Sequence, residues 1–195
     1  MRTLAWRGTA LLAAAVLQSG CATAPVTAPG PGAAPDVERL SQWTARGRIA
    51  LSAGGDGGSG SFVWQQRSER TELAVRGPLG AGGLQIVTDG QSLEVADGSG
   101  AAVDGEAARA TLERRLGARL PLGELRYWML GLPAPGGAGA TTRDTGAGFT
   151  QGDWDVRYEA FRETGGWSLP TRLTASSAGA RVRIVVDDWQ VPVEP

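Results

Sequence analysis

Apolar and polar residues alternate along much of the chain after residue 45. Gly47, Ile49 and Leu51 alternate with two arginines, and Phe62 and Trp64 share one face of a second run. The same period of two recurs in three later runs, whose apolar pairs are Leu73 and Val75, Leu84 and Ile86, and Leu93 and Val95. Such alternation predicts half-buried strands, and the turn-forming residues between the runs predict an antiparallel meander. The segment 54–60 (GGDGGSG) is expected to be a flexible turn.

Two segments in the middle of the chain have a helical period instead. Residues 106–116 are rich in helix formers, with Leu112 and Leu116 four positions apart, and residues 122–130 place Leu125 and Met129 on one side. A further short helix is expected over 36–43. After a Gly- and Ala-rich loop over 134–148, the alternation of strands returns at 149–151, 154–161, 172–176 and 180–186.

The order of elements is therefore about five strands, two helices and about four strands. A sheet of about 9–11 strands must curl or split to bury its apolar face. We therefore expect a mainly β protein with two helices, in which a single curved antiparallel sheet forms a half-open, incomplete β-barrel and the helices cover the concave face. The interior either holds a cavity for an apolar ligand or is filled by the helices, and periodicity does not distinguish these alternatives.

The inward apolar residues of the strands and helices are the candidate lining of that interior. Alternation places the strand residues on one face of the sheet, and the two helices have only that face to cover. Some of these residues must be plain core. The set comprises Phe62, Trp64, Leu73, Val75, Leu84, Ile86, Leu93, Val95, Leu112, Leu125, Trp128 and Met129.

Composition excludes most catalytic and metal chemistry. The 195 residues include no His, and all 19 basic residues are Arg. A Ser-His-Asp triad, a His-ligated metal and a catalytic or phosphate-binding lysine are therefore excluded. The single Cys forms neither an internal disulfide nor a thiolate metal site, and a formal net charge of −1 gives no reason to expect nucleic acid. We expect no catalytic residue, no metal and no cofactor.

Two charged patterns have simple interpretations. Asp187 and Asp188 are adjacent, and neighbours in a strand point to opposite faces, so they are poorly placed to share a proton or a metal. They are expected to lie at a solvated strand end. The arginine pairs at 46 and 48, 114 and 115, and 181 and 183 are expected on exposed faces of the sheet and of a helix.

One turn breaks the rule that turns are polar. Leu79 lies between Pro78 and Gly80 in the connection between the third and fourth strands. Pro and Gly prevent this segment from extending either strand, so Leu79 is expected at the tip of a loop. There it either contacts a membrane or a lipid or folds back to cap the end of the barrel, and the sequence leaves both possibilities open.

The first 20 residues have the features of a secretory signal peptide. Arg2 and Arg7 precede an apolar run that is too short to span a bilayer, and small residues lead to Cys21. A signal that ends at a Cys resembles that of a bacterial lipoprotein, whose Cys is acylated, although Gln18 stands where that motif usually has Leu. Ala22, after the Cys, resembles a signal for sorting to the outer membrane.

These features predict three parts of the chain. Residues 1–20 are the lipoprotein signal peptide, residues 21–35 a lipidated tether, and residues 36–195 the folded domain. The tether is rich in Pro, Ala and Gly, and it reaches on the order of 20 Å as a coil and about twice that when extended. A lipid would therefore hold the domain at a membrane without a membrane-spanning segment.

A series of motifs follows in order along the mature chain. It begins with Trp43 and Gly47-Arg-Ile-Ala-Leu51 and continues through Phe62-Val-Trp64-Gln, Gly77-Pro-Leu-Gly80, Leu120-Pro-Leu122, Leu125-Arg-Tyr-Trp128-Met-Leu-Gly-Leu-Pro133, Gln151-Gly-Asp-Trp154-Asp-Val-Arg-Tyr158, Leu169-Pro170 and Trp189. Together these motifs resemble LolB, the outer-membrane lipoprotein receptor of proteobacteria. The resemblance covers essentially the whole mature chain.

The resemblance implies a half-open β-barrel closed by helices, which faces the periplasm from the outer membrane of a Gram-negative bacterium. Its partners would be a LolA-like periplasmic carrier and lipoprotein cargo, whose acyl chains the inward apolar set would bind. Cys21 would carry the lipid anchor, and Pro78, Leu79 and Gly80 would form the loop for membrane insertion and release. We expect a monomer. Alternatives are a lipoprotein of the same fold that binds another lipid, and a structural envelope lipoprotein with a filled barrel.

Overall fold

The computed structural model describes residues 37–192, apart from 55, 79–81, 117–118, 137–140 and 143–146. The first part of the chain forms a 3-10 turn, Val37–Arg39, and six strands: β1 (Gln42–Ala53), β2 (Asp56–Arg67), β3 (Arg70–Arg76), β4 (Gly83–Thr88), β5 (Leu93–Asp97) and β6 (Ala102–Asp104). Two helices and five strands follow: α1 (Gly105–Leu116), α2 (Leu122–Trp128), β7 (Thr141–Thr142), β8 (Gly148–Gln151), β9 (Trp154–Thr164), β10 (Trp167–Ser176) and β11 (Ala180–Gln190).

The eleven strands found in these residues form one antiparallel sheet, in the order β6-β5-β4-β3-β2-β1-β11-β10-β9-β8-β7. Strands that follow one another in the chain are therefore neighbours, except that β1 pairs with β11 and joins the two halves. The two edges, β6 and β7, do not pair with each other, so the sheet is open. A mainly β fold with a single antiparallel sheet and two helices is confirmed. Neither helix in the part described has the length and hydropathy to cross a membrane.

The buried face of the sheet carries large apolar side chains. Phe62, Trp64 and Ile86 are almost fully buried, as alternation predicts. Trp43 packs between Trp64 and Trp189, with ring centroids 5.7 and 5.2 Å apart, which joins β1 to its neighbours on either side. This aromatic cluster fills the centre of the interior.

A bulge between β1 and β11 corrects the expectation for the two adjacent carboxylates. Arg46 pairs with Asp188 and Gly47 with Val186, so Asp187 is an extra residue, and both carboxylates face solvent. Each forms its own ion pair, Asp187 with Arg48 at 3.1 Å and Asp188 with Arg46 at 3.3 Å. The described residues contain no cluster of three or more His, Cys, Asp or Glu side chains that could hold a metal.

Two other predictions at the start of the chain are wrong. The helix over 36–43 is reduced to a single turn at 37–39, because β1 begins at Gln42 and takes Trp43 into the sheet. The flexible turn over 54–60 is also wrong, because β2 begins at Asp56 and pairs with β1 as far as Ala53. Of the predicted segment, Gly54 is described as a turn residue and 56–60 as part of β2.

The remaining differences concern strand ends and short elements. Strand β10 begins at Trp167 and not at 172, and β9 and β11 extend to Thr164 and Gln190, past their predicted ends at 161 and 186. The sequence does not predict β6, which is exposed along its whole length and lacks an alternating pattern, or the two-residue β7 within the loop 134–148. Helix α1 is confirmed, while α2 ends at Trp128, two residues before its predicted end. Gly131 follows in a turn with a φ of +86°, a conformation that favours glycine.

Candidate functional site

The helices share one apolar cluster with the sheet. Leu112 of α1 and Leu125 and Trp128 of α2 are buried in the same cluster as Trp64 and Ile86. Helix α1 contacts β5, β6 and β1. Helix α1 therefore packs against strands that precede it in the chain, whereas Trp128 of α2 also packs against aromatic residues of β8 and β9.

The end of α2 is held by a buried amide. The Gln151 side chain, on β8, accepts hydrogen bonds from Trp128 Nε1 and from the Ala134 backbone N–H, both at 2.9 Å, and donates to the Ala134 carbonyl at 2.7 Å. The Tyr158 hydroxyl donates to the Trp128 carbonyl at 2.9 Å. Burial raises the pKa of Tyr158, so the hydroxyl remains a donor at physiological pH.

A second attachment ties α2 to the turn between β2 and β3. The Arg126 guanidinium donates to the Glu69 carboxylate at 2.6 Å and to the Tyr127 hydroxyl at 2.8 Å. It also lies 4.7 Å from the centroid of the Tyr127 ring, within range of a cation–π contact. Helix α2 is thus fixed to both halves of the sheet.

A cavity of about 440 Å³ lies between strands β1–β4 and the helical region. This volume falls within the usual range for small-molecule sites. About half of its lining residues are aliphatic, with ten such side chains from strands β1, β3 and β4 and from the helical region. They are Ile49, Leu51, Leu73, Val75, Leu84, Ile86, Leu116, Leu120, Leu122 and Leu125.

Glycines of β2 leave this cavity open. Gly58 and Gly60 lie on the inward face of β2, four and two residues before Phe62, and pair with Leu51 and Ile49 of β1. A Cβ atom at Gly58 would meet no atom within 4 Å, whereas one at Gly60 would lie 2.2 Å from the Arg76 carbonyl oxygen. The inward face of β2 therefore changes from bulky aromatic residues to bare backbone.

The cavity reaches solvent at one end of the sheet, which we call the mouth end. This end carries the β1–β2, β3–β4, β5–β6, β8–β9 and β10–β11 turns. Gly57, Gly58 and Ser59 line the cavity and are exposed there. Arg114 and Arg115 of α1 also line it, and Arg115 pairs with Asp97 at 3.0 Å. The lining is therefore apolar inside and cationic where it meets solvent.

Five of the twelve predicted lining residues lie on this cavity: Leu73, Val75, Leu84, Ile86 and Leu125. Leu93 and Leu112 line a smaller adjoining pocket of about 160 Å³. The other five are buried in the packed core and do not line either space: Phe62, Trp64, Val95, Trp128 and Met129.

Sequence reasoning left out five of the aliphatic lining residues. Ile49 and Leu51 have the alternation of a strand, but their contribution depends on the bare glycines opposite them. Leu116, Leu120 and Leu122 lie at the ends of the helices and in the connection between them, where periodicity is weakest. The helical spacing of Leu116 with Leu112, and of Leu122 with Leu125, was a signal for part of this group.

The predicted insertion loop and lipidation site fall largely outside the described residues. Leu79 and Gly80 lie outside them, and so does Cys21. Pro78 is described and exposed. Gly77 and Gly82, on either side of the loop tip, line the cavity at its mouth end. The loop therefore leaves and re-enters the fold beside the cavity.

Comparison with known proteins identifies the family. The model of the family described as "Outer membrane lipoprotein LolB" matches residues 41–189. The outer-membrane lipoprotein LolB of Stutzerimonas stutzeri is 34% identical over 190 residues, which cover 90% of this chain and 91% of that protein. The protein of the same name from Pseudomonas paraeruginosa is 35% identical over 159 residues, covering 79% of this chain and 77% of that one.

A crystal structure of a LolA superfamily protein from Nitrosomonas europaea aligns with 80% of this chain and 88% of its own, with a TM-score of 0.47 and 14% identity. The family match spans three quarters of the chain, and the relatives match along most of their own length. The chain therefore belongs to the LolB family of outer-membrane lipoproteins.

Proposed function

We propose that this protein is an outer-membrane lipoprotein receptor, which accepts lipoproteins from the periplasmic carrier LolA and inserts them into the outer membrane. The observation that carries the proposal is the aliphatic cavity of about 440 Å³ in a chain of the LolB family. The acyl chains of the cargo are the groups that such a cavity would hold.

In this proposal the sheet is a half-open barrel and the helices cover its concave face. The support is that one cavity is lined both by inward residues of β1–β4 and by Leu116 and Leu125 of the helices. The attachments of α2 through Gln151 and Arg126 would keep the cover in place. The space between sheet and helices is then the acyl-chain site.

The energetics of acyl chains explain why such a site is needed. Burial of a methylene group is worth roughly 0.8 kcal/mol, so a chain of about 16 carbons needs on the order of 10 kcal/mol of apolar shelter to leave a membrane or a carrier. A second apolar cavity of equal or better affinity allows transfer without exposure to water. Transfer then runs from carrier to receptor to bilayer down a gradient of affinity, without a cofactor or catalytic residues.

We further propose that residues 1–20 are removed and that Cys21 becomes the acylated N-terminus. The tether at 21–35 would then hold the domain, residues 36–195, as a monomer on the periplasmic side of the outer membrane. Mass spectrometry of membrane-extracted protein is expected to find lipid on Cys21 and no peptide from 1–20. An intact precursor with an unmodified Cys21 would contradict this assignment.

The function is tested by transfer of a labelled, acylated lipoprotein from LolA. The mature chain is expected to take the lipoprotein from the carrier and then to release it into liposomes. A protein that retains phospholipid after purification but never takes lipoprotein would instead favour the alternative, a lipoprotein of the same fold with another lipid ligand. An equal rate of transfer from LolA to liposomes with and without the chain would reject the receptor function.

A further inference from the structure

Most arginines among the described residues pair with a carboxylate, but four do not. One is Arg162, near the end of β9, which donates only to the Asp187 carbonyl; the other three form a group. Among the described residues, Arg76 and Arg181 are exposed and have neither a carboxylate partner nor a side-chain hydrogen bond. Arg114 is exposed and donates only to the Thr111 hydroxyl, at 3.1 Å. By contrast, the arginines of the outer sheet face pair with Asp187, Asp188 or Glu159.

All three arginines lie at the mouth end. Arg76 is the last residue of β3, and Arg181 is the second residue of β11, opposite Ser52 near the end of β1. Arg114, in the last turn of α1, lines the cavity. A cleft lined by Arg181 shares Gly57 with that cavity. Three of the four arginines without a carboxylate partner therefore lie at the mouth end.

Carboxylates without an arginine partner lie mainly at the opposite end. Within the residues described, those at the opposite end are Glu38, Asp89, Glu94, Asp104 and Glu163. The exceptions are Glu124 on α2 and Asp153 in the β8–β9 turn, which is at the mouth end. Hydrogen bonds from the Ser92 backbone N–H and hydroxyl and from the Gln91 backbone N–H lower the pKa of Asp89 to about 2, so it stays ionised. Among the described residues, the unpaired arginines therefore lie mainly at the mouth end and the unpaired carboxylates mainly at the other end.

We propose that the mouth end docks on the anionic headgroups of a phospholipid bilayer and that this charge separation orients the protein with its cavity towards the membrane. This inference rests on the proposed function, since an acyl chain leaves the cavity only where the cavity meets a bilayer. Guanidinium groups suit the role because they bind phosphate oxygens through paired hydrogen bonds. The formal net charge is −1, so general attraction to an anionic surface does not explain such docking.

The spacing of the arginines favours a membrane over an acidic peptide as the occupant. Arg76 and Arg181 lie on β3 and β11, which are three positions apart in the sheet because β2 and β1 intervene. At about 4.8 Å between neighbouring strands, this separation is about 15 Å. Arg114 adds a third position on a helix. A surface of many headgroups offers partners to arginines at separate positions, whereas a short acidic segment follows a single line.

Vesicle flotation tests the proposal with the mature chain, residues 21–195, carrying Cys21→Ser so that no acyl anchor contributes. Binding to phosphatidylcholine vesicles is compared with binding to vesicles that also contain phosphatidylglycerol. The triple variant Arg76→Gln, Arg114→Gln, Arg181→Gln is expected to lose on the order of 100-fold of the preference for the anionic vesicles, since each arginine near such a surface contributes about fivefold. The preference of the unmodified sequence is expected to fall as salt is added.

The matched control removes three charges from the other end of the sheet, through Arg67→Gln, Arg70→Gln and Arg162→Gln. This control variant has the same change in net charge as the mouth-end variant. Its preference for the anionic vesicles is expected to fall by less than about fivefold. A fluorophore at the mouth end, on Ala178→Cys, is expected to report the vesicle surface, while one on Ser41→Cys is not. Equal losses in both triple variants, or full binding by the mouth-end variant, would overturn the proposal.

Transfer assays separate this proposal from the function on which it rests. A mouth-end variant that keeps its vesicle preference but no longer accepts lipoprotein from LolA would assign the arginines to the carrier and reject membrane docking. Conversely, a chain that shows the oriented vesicle binding but never takes lipoprotein would support the docking surface and reject the proposed receptor function.

Discussion

A single missing side chain decides how much of the interior is open. Gly58 continues the inward face of Phe62 and Trp64, and its Cβ position has no neighbour within 4 Å. Gly is a poor strand former, so stability alone does not favour it at this position. We infer that Gly58 keeps the mouth end of the cavity clear for a ligand.

Gly58→Leu is therefore expected to fill the cavity without loss of stability. Displacement of about three ligand methylenes, at roughly 0.8 kcal/mol each, weakens fatty-acid binding on the order of 50-fold. Displacement of a fluorescent fatty acid measures the effect, and Ser61→Leu, on the outward face of the same strand, is the matched control. Unchanged affinity in Gly58→Leu would show that the ligand does not enter at this end.

Leu79 is the second residue at which a single side chain is expected to matter. Its replacement is expected to separate acceptance of lipoprotein from delivery to a membrane. A change at the tip of an exposed Pro- and Gly-bounded loop usually alters stability by no more than about 0.5 kcal/mol. Leu79→Glu is therefore expected to melt like the unmodified protein and to accept lipoprotein from the carrier, but to fail in delivery to liposomes, because a carboxylate does not enter the apolar part of a bilayer.

The control for Leu79→Glu is Val103→Glu, which places the same charge on an exposed apolar residue of the edge strand β6. Delivery by this variant is expected to be normal. If Leu79→Glu unfolds or also loses acceptance, Leu79 belongs to the core as a cap of the barrel end. If it delivers normally, the loop is only a turn.

At the scale of elements, α2 is positioned by polar contacts as well as by its apolar side. Gln151 joins residues 17 and 23 positions away in the chain, whereas Gln66, an equally buried amide, bonds only with Trp64, Ser68 and Thr71 of its own hairpin. Both amides satisfy an indole N–H. Only the first fixes an element that lines the cavity.

Gln151→Met and Gln66→Met make a matched pair. Each leaves buried groups without a partner, and each is expected to lower the free energy of unfolding by about 2–4 kcal/mol in urea titrations. Gln151→Met is also expected to lower fatty-acid affinity, because α2 carries Leu122 and Leu125 of the lining. An equal loss of affinity in Gln66→Met would show that the effect is one of overall stability.

Elements with a strong hydrophobic period could be predicted from the sequence. Segments whose structure depends on pairing with a neighbouring strand could not. Alternation located β2–β5 near Phe62, Leu73, Ile86 and Val95, and the spacing of leucines located α1. By contrast, the glycines at 57–60 look like a turn locally, and only their partners on β1 hold them in a strand. The same holds for Asp187 and Asp188, whose common orientation depends on a bulge that alternation does not reveal.

The division of the interior is a property of the whole molecule. Trp43, Trp64 and Trp189 fill the centre, and Trp128, Phe149 and Trp154 pack together on the side of β8 and β9. The cavity lies on the other side, between β1–β4 and the helical region. Sequence periodicity identifies inward residues but not which of them meet an empty space, so five predicted lining residues lie in the packed core.

The required length of the tether depends on the size and orientation of the whole domain. Val37 begins the described fold at the end of the sheet opposite the mouth, and β1, with 12 residues, spans about 40 Å between the two ends. A lipid on Cys21 would therefore anchor the domain at the end opposite the mouth of the cavity. Residues 22–35 reach about 43 Å when extended, which is enough for the domain to turn its mouth to the membrane that holds the anchor.

Deletion of residues 24–33 from the acylated protein is accordingly expected to leave acceptance from LolA unchanged and to reduce delivery into the membrane that carries the anchor. A Gly/Ser segment of the same length is expected to restore delivery, because reach and not composition is required. With Cys21→Ser, the shortened and full-length chains are expected to deliver equally well to added liposomes, because neither is held at a surface. Normal delivery by the shortened, acylated protein would show that the domain reaches the bilayer without turning, and the orientation inferred from its charges would then have no part in release.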